Sequence, residues 1–167
     1  PSNAVLGSAL ADWGCTYDYV TGLMWEVKVL DAGHLRHRDH GYTWFNGNAG
    51  SNGGSAGTAS GGTCQTAGRC DTEKFVQDVN AAGMCGHADW RMPTIKELQS
   101  IVDYGIAFPG PTIDAGYFPN TGSVIFWSAS PKAGNAASAW GVDHYDGVAG
   151  FLPKSGPGKV RLVRAGL

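Results

Sequence analysis

Four cysteines constrain this chain more than any other feature of its sequence. They are Cys15, Cys64, Cys70 and Cys85, and none of them forms a CxxC pair of the kind that zinc ribbons use. An even number of cysteines in a glycine-rich chain favours two disulfides and an oxidising compartment. The sequence alone does not choose among the three pairings. We favour Cys64–Cys70, which would close a short loop before a predicted helix, with Cys15–Cys85, which would tie the N-terminal segment to the far end of that helix.

The composition fits a single folded domain over residues 1–167. Hydrophobic residues make up 43% and charged residues 16%, which argues against a disordered chain. The net charge of −2 disfavours nucleic acid as a partner, because phosphate binding needs a basic face. No apolar run approaches the ~18 residues of a membrane span. A start at Pro1 without a visible signal peptide is compatible with a mature chain whose leader has been removed.

The C-terminal third carries a local group of basic residues. A small anionic ligand could bind there, with Lys154 as a candidate ligand-binding residue. The alternative is a set of solvated side chains at strand ends, which is the more common outcome. The group consists of Lys132, Lys154, Lys159, Arg161 and Arg164.

A low-complexity segment over residues 46–63 reads NGNAGSNGGSAGTASGGT. It can contribute little to a core, so a loop of this length within one domain is expected to be either functional or mobile. Its asparagine side chains and backbone carbonyls suit calcium, which is therefore a candidate cofactor, although no DxDxDG spacing is present. Trp44 and Phe45 directly precede the loop and are the best candidates for exposed, ligand-binding aromatic side chains, although for each tryptophan of the chain a core position is the more common outcome.

Two helices are predicted in the middle of the chain. The first is capped by Asp71 or Thr72 and ends at Gly83. The second is capped by Thr94, which forms a capping box with Glu97, and it is expected to end near residue 105. Apolar residues recur at helical spacing in both, namely Phe75, Val76, Val79 and Ala82 in the first and Ile95, Leu98, Ile101 and Val102 in the second.

Most predicted strands follow these helices. One β-prone segment precedes them at residues 23–25, and the others cover residues 124–128, 139–145, 148–152 and 159–164, with a hairpin turn at Asp146-Gly147. Because the helices lie together and do not alternate with strands, this order predicts an α+β fold, not βαβ units.

Four internal segments and the end of the chain carry a resemblance to a known family. They read TGLMWE (21–26), CGHADWRMPTIKELQSIVD (85–103), YFPNTGSVIFWSAS (117–130), AWGVDHYDG (139–147) and VRLVR (160–164). In this order they resemble the Lcl C-terminal domain family of bacterial surface proteins, and the resemblance covers nearly the whole chain, from about Cys15 to Arg164.

The resemblance implies a C-type-lectin-like fold, in which two helices pack on a twisted, mainly antiparallel sheet with long irregular loops. It also implies an exported bacterial protein, secreted or at the cell surface, with the periplasm as an alternative. Some relatives act in adhesion and bind sulfated glycans through basic surfaces, which the slightly acidic balance here disfavours. The chain lacks the EPN, QPD and WND triplets of calcium-dependent lectins, so their sugar chelation is not expected.

Tryptophans are candidate sugar platforms, because the C–H faces of sugars stack on aromatic rings. Trp140 lies near Asp143 and Tyr145, and we take all three as candidate ligand-binding residues, although Trp140 also fits a core position. The tryptophans of the other family segments are expected in the core, namely Trp25, Trp90 and Trp127.

Two charged motifs have both a functional and a structural interpretation. Arg91 could anchor a ligand, but we favour an Arg91–Glu97 pair that fixes the loop before the second helix, because the motif leads into a capping box. His34, His37 and His40 recur every third residue and could bind a transition metal, although the intervening arginines would repel a cation.

Catalysis has little support in the sequence. Ser128 and Ser130 lack a GxSxG context, and the residues that could act in acid–base chemistry, Asp143, His144 and Asp146, lie at the predicted hairpin turn. The leading hypothesis is therefore a non-enzymatic extracellular binding or adhesion domain that recognises a glycan or a protein surface. The alternative is a structural subunit that self-assembles into a pilus-like surface filament, and a weaker alternative is an enzyme on a lectin-like scaffold.

Overall fold

A computed structural model describes residues 13–166 and has the predicted α+β class. It differs from the expected single sheet, because the strands form two separate antiparallel sheets of three strands each, ordered β1-β2-β6 and β3-β4-β5. Within residues 13–166, no helix has the length and apolar character needed to cross a membrane. The elements are β1 (Cys15–Asp18), β2 (Leu23–Glu26), α1 (Thr72–Ala81), α2 (Ile95–Ser100), β3 (Ile125–Pro131), β4 (Ser138–Asp143), β5 (Ala149–Pro153) and β6 (Val163–Ala165), with a short 3-10 helix at Met84–Gly86.

The first sheet joins the two ends of the described chain. β1 and β2 form a hairpin, and β6 pairs with β2 so that Val163 lies opposite Trp25. The hairpin turn is closed by the Asp18 carboxylate, which accepts a hydrogen bond from the backbone N–H of Val20 at 2.8 Å. Gly22 ends the turn with φ of +71°, a conformation that favours glycine.

Both predicted helix starts are confirmed. The Asp71 side chain accepts the N–H of Lys74 at the start of α1, and Thr94 with Glu97 forms the predicted capping box of α2. The favoured structural role of Arg91 is also confirmed, because its two terminal nitrogens donate to the two oxygens of Glu97 at 2.8 and 2.6 Å. α2 is shorter than predicted, since it ends at Ser100.

The buried apolar side chains form two clusters. One includes Trp90 and Trp127, the other includes Trp25, and the prediction that these three lie in the core is confirmed. The indole N–H of Trp127 donates to the Tyr42 carbonyl at 2.8 Å, and that of Trp90 donates to the Met84 carbonyl at 3.0 Å, which satisfies these polar groups inside the core.

A buried carboxylate lies between the two clusters. Glu26 forms an ion pair with Lys28 at 2.5 Å, and its second oxygen accepts the N–H of Leu162 at 2.9 Å. Its backbone carbonyl accepts a hydrogen bond from the guanidinium of Arg161 at 3.1 Å. All three charged side chains are buried, and side-chain as well as backbone hydrogen bonds attach the last predicted strand to β2.

The favoured disulfide pairing is confirmed, with bonds between Cys15 and Cys85 and between Cys64 and Cys70. The first spans 70 residues and attaches β1 to the segment after α1, whereas the second spans 6 residues. A crosslink restricts the unfolded chain more when it closes a longer loop.

The two disulfides should therefore contribute unequally to stability. We expect the double substitution Cys15→Ser/Cys85→Ser to lower the free energy of unfolding by about 4 kcal/mol, and Cys64→Ser/Cys70→Ser by about 2 kcal/mol. Urea unfolding of the two variants beside the wild type measures both values. Equal losses, or the opposite order, would contradict loop closure as the main source of the stabilisation.

Candidate functional site

Trp44 is not the exposed platform that the sequence predicts. It is only 2% exposed, and its indole N–H donates to the Ser128 carbonyl at 2.8 Å. Phe45 is half-buried. Both line a cleft of about 220 Å³ between the start of the glycine-rich loop and α1, but Trp44 presents no exposed ring there.

Lys154 is buried, which corrects its assignment to a surface site for anions. Its ammonium donates to the carbonyls of Asn52 and Ser55 at 2.8 and 2.7 Å and lies 4.2 Å from the centre of the Trp44 ring. Burial lowers the pKa of Lys154 below its ordinary value. The side chain therefore attaches the glycine-rich loop to β5 and is not available to an external ligand.

The glycine-rich loop is ordered by its own polar groups. The side-chain oxygens of Asn46, Asn48 and Asn52 each accept a backbone N–H two residues further along, at 2.9 to 3.0 Å. Gly57 permits the closest approach to the core, because a Cβ at this position would lie 2.2 Å from the Trp44 carbonyl. The asparagine side-chain oxygens that suggested calcium thus accept backbone amides, and the carbonyls of Asn52 and Ser55 accept the ammonium of Lys154.

The histidines of the predicted metal cluster have other partners. His34 accepts the N–H of Arg36 at 3.0 Å, and a ring nitrogen of His40 lies 3.1 Å from the His34 carbonyl. Burial, with the positive charge of Arg36 as a further cause, lowers the pKa of His34. Among residues 13–166 no group of three or more His, Cys, Asp or Glu side chains is arranged to hold a metal ion.

The candidates Trp140, Asp143 and Tyr145 do not form one site. Trp140 is half-buried and packs edge to face on Phe151 of β5, with ring centres 5.6 Å apart. Tyr145 instead lies 5.9 Å from Phe108, and the Asp143 carboxylate accepts the Tyr145 N–H at 3.0 Å. The neighbouring imidazole of His144 is fully buried against Phe126 and does not reach a surface where a substrate could bind.

Tyrosines surround a second cleft, of about 430 Å³, that the sequence analysis did not identify. Tyr17 and Tyr19 contribute one wall and Tyr117 the other; Tyr19 is 87% and Tyr117 60% exposed. The rings of Tyr17 and Tyr19 meet edge to face with centres 4.7 Å apart. We call this the tyrosine cleft, and its other lining residues are Thr16, Asp18, Val20, Ser100, Ile101 and Phe118.

The tyrosine cleft combines aromatic faces with polar groups at defined positions. Among residues 13–166, Asp18 is the only charged residue that lines it. Burial tends to raise the pKa of Asp18, but hydrogen bonds from the Thr21 hydroxyl and from the Val20 and Thr21 amides lower it below the ordinary value. Asp18 therefore presents a fixed negative charge, and the hydroxyls of Thr16 and Ser100 add further hydrogen-bonding groups to the lining.

The first prediction from this geometry concerns Lys154. The substitution Lys154→Met keeps the apolar stem but leaves the Asn52 and Ser55 carbonyls without their donor. We expect it to lower the free energy of unfolding by about 2 kcal/mol and to accelerate amide hydrogen exchange within residues 46–57. Lys132→Met is the matched control, because the Lys132 ammonium also lies over an aromatic ring, that of Phe151. Equal effects of the two substitutions would refute the anchoring role.

The second prediction concerns His144. Burial lowers the pKa of His144 to about 4, from an ordinary value of 6.5, because a charged imidazole would lose its hydration. As the pH falls from 7 to 4, the unfolded chain binds a proton that the folded protein excludes, so stability falls. We expect the free energy of unfolding of wild type relative to His144→Phe to drop by about 3 kcal/mol over this range. A difference that stays constant with pH in chemical denaturation would contradict this account.

A comparison with known protein families identifies the family of this chain. Residues 14–164 match the Lcl C-terminal domain family. A search of curated proteins returned no match. Since the match covers nearly all of the described residues, the chain belongs to the Lcl C-terminal domain family, as the resemblance of its sequence segments predicted.

Proposed function

We propose that this member of the Lcl C-terminal domain family is an extracellular binding domain that recognises a carbohydrate in the tyrosine cleft. The observation that carries the proposal is the presence of exposed tyrosine rings on both walls of one concave site. Sugars bind to such sites because their C–H faces stack on aromatic rings while their hydroxyls bond to neighbouring polar groups. The volume of about 430 Å³ lies within the usual range of roughly 300–1,000 Å³ for small-ligand sites.

The walls of the cleft are held in place before any ligand binds. Tyr17 lies in β1. The Cys15–Cys85 disulfide fixes the first residue of this strand, and every residue of the strand pairs with β2. Tyr117 is followed by Phe118, which is buried against Trp25 with ring centres 6.4 Å apart. A preformed site favours binding, because little conformational entropy is lost when the ligand enters.

The disulfides support the extracellular part of the proposal. Disulfides form and persist in oxidising compartments, which for a bacterial protein means the periplasm, the cell surface or the medium. The two helices, the antiparallel sheets and the long loops suit a C-type-lectin-like arrangement, and we include that fold in the proposal.

The lining of the cleft suits binding better than glycoside hydrolysis. Hydrolysis of a glycosidic bond usually requires two carboxyl groups on opposite sides of the bond. Within the described part of the chain, Asp18 is the only carboxylate that lines the tyrosine cleft, and it accepts hydrogen bonds within the hairpin turn. A structural subunit of a filament would use the same exposed rings as contacts between protein copies, so the assembly state separates this alternative from sugar binding.

Substitution of the exposed tyrosines tests the proposal. A glycan array with the wild-type protein identifies a ligand, and calorimetry then measures its affinity for the variants Tyr19→Ala and Tyr117→Ala. We expect each substitution to weaken binding roughly tenfold, because each removes a stacking surface worth about 1–1.5 kcal/mol.

Tyr104→Ala is the matched control, because Tyr104 is 68% exposed but does not line the cleft. It should bind the glycan as the wild type does. Mass-resolved chromatography should show a monomer or a small closed oligomer. If the wild type instead forms open-ended fibres and Tyr19→Ala prevents them, the protein is a filament subunit. If the protein binds a glycan and neither tyrosine variant weakens that binding, the cleft is not the binding site.

A further inference from the structure

A second exposed apolar surface lies at the end of the β4–β5 hairpin. Its members are Tyr104, Phe108, Tyr145 and Val148, each between 43% and 70% exposed. The rings of Phe108 and Tyr145 lie 5.9 Å apart, and the Tyr104 hydroxyl donates to the Gly147 carbonyl at 3.4 Å. These contacts bring the segment after α2 and the hairpin tip onto one surface, which we call the aromatic–acidic patch.

The backbone beneath the patch is hydrogen-bonded across three segments. The Asp103 N–H donates to the Thr112 carbonyl at 3.0 Å, and the Thr112 N–H donates to the His144 carbonyl at 2.8 Å. Gly147 packs closely on this platform, because a Cβ at its position would lie 2.8 Å from Val102. The exposed rings therefore belong to segments whose backbone is held by hydrogen bonds and close packing.

The segments that form the patch carry charge of one sign. Asp103, Asp143 and Asp146 belong to its segments, and each uses one carboxylate oxygen to accept a backbone N–H two residues further along. The stretches that carry the patch residues, 102–112 and 143–149, contain no lysine or arginine. A contiguous apolar surface with this acidic margin is complementary to a partner that is both basic and apolar.

The remainder of the described protein strengthens this asymmetry. Lysine and arginine side chains are buried more often than acidic ones, which leaves more acidic than basic side chains on the surface of residues 13–166. Buried acidic side chains are Glu26 and Asp71, and buried basic side chains are Lys28, Arg36, Lys154, Arg161 and Arg164.

We propose that the aromatic–acidic patch binds a basic segment of a partner protein, in which lysines or arginines alternate with apolar residues. The cationic groups of such a segment lie over the exposed faces of Tyr104, Phe108 and Tyr145, which attract them through cation–π contacts. The nearby aspartates attract the same groups through ionic contacts. Its apolar residues cover Val148 and the ring edges. This inference does not depend on sugar binding in the tyrosine cleft.

Binding of synthetic peptides to the intact protein tests the inference. The probe is a fluorescent peptide in which Lys alternates with Leu, measured by anisotropy, and the comparison peptide has Glu in place of each Lys. We expect the wild type to bind the Lys peptide and not the Glu peptide, and we expect the affinity to fall as the ionic strength rises. Asp146→Asn should weaken binding roughly threefold, and Tyr145→Ala roughly threefold to tenfold.

Two matched controls separate the patch from the rest of the surface. Asp31→Asn removes an exposed aspartate that accepts the Gly33 N–H at 2.9 Å, the same local geometry as Asp146. Phe151→Ala removes a side chain that is 49% exposed, close to the exposure of Tyr145. Neither should change peptide binding.

Three results would overturn the inference. The first is that the Lys peptide does not bind or binds no better than the Glu peptide. The second is that the patch variants behave as their controls do. The third is that the protein forms a dimer which Tyr145→Ala dissociates without any peptide, because a second copy of this chain would then be the occupant.

Discussion

An ionic centre, formed by the buried side chains of Glu26, Lys28 and Arg161, connects the two core clusters on which the rest of the structure depends. Lys28 pairs with the carboxylate and lies 4.6 Å from the ring of Phe75 in one core cluster. Arg161 bonds to the Glu26 carbonyl and stacks on Phe118 and Phe126 of the other cluster, 4.8 and 5.4 Å from their ring centres. Burial lowers the pKa of Lys28 to about 8 and that of Arg161 to about 10, so both stay charged at neutral pH. Loss of one member would leave an uncompensated buried charge, which is strongly destabilising.

Both walls of the tyrosine cleft depend on this centre. Glu26 is the last residue of β2, and β2 holds β1 with its Tyr17 through backbone pairing. On the opposite wall, Arg161 stacks on Phe118, which directly follows Tyr117, and its guanidinium donates to the Thr121 hydroxyl at 2.6 Å. The segments that carry Tyr17 and Tyr117 are therefore attached to the same buried charged groups.

The parts of the fold that sequence reasoning could predict are local ones. The cap residues Asp71 and Thr94, and the pairing of Arg91 with Glu97, each depend on residues close together in the chain. The candidate sites depend on distant contacts. The carbonyl of Asn52 meets Lys154 across 102 positions, and no local pattern marks a lysine as the anchor of a remote loop. The tyrosine cleft was missed for the same reason, since Tyr17 and Tyr117 line one cleft but lie far apart in the sequence.

The burial of the cations also bears on which glycans the proposed function would involve. Sulfated glycans need a basic face, and the basic group in the C-terminal third is the part of the sequence that could have supplied one. Lys154 and Arg161 are instead buried, Arg164 pairs with Asp89 at 2.6 Å, and Lys159 donates to the Asp39 carbonyl. These side chains serve as internal ligands for carbonyls, carboxylates and aromatic rings. If the tyrosine cleft binds a carbohydrate as proposed, Asp18, the carboxylate among its described lining residues, favours neutral sugars over polyanions.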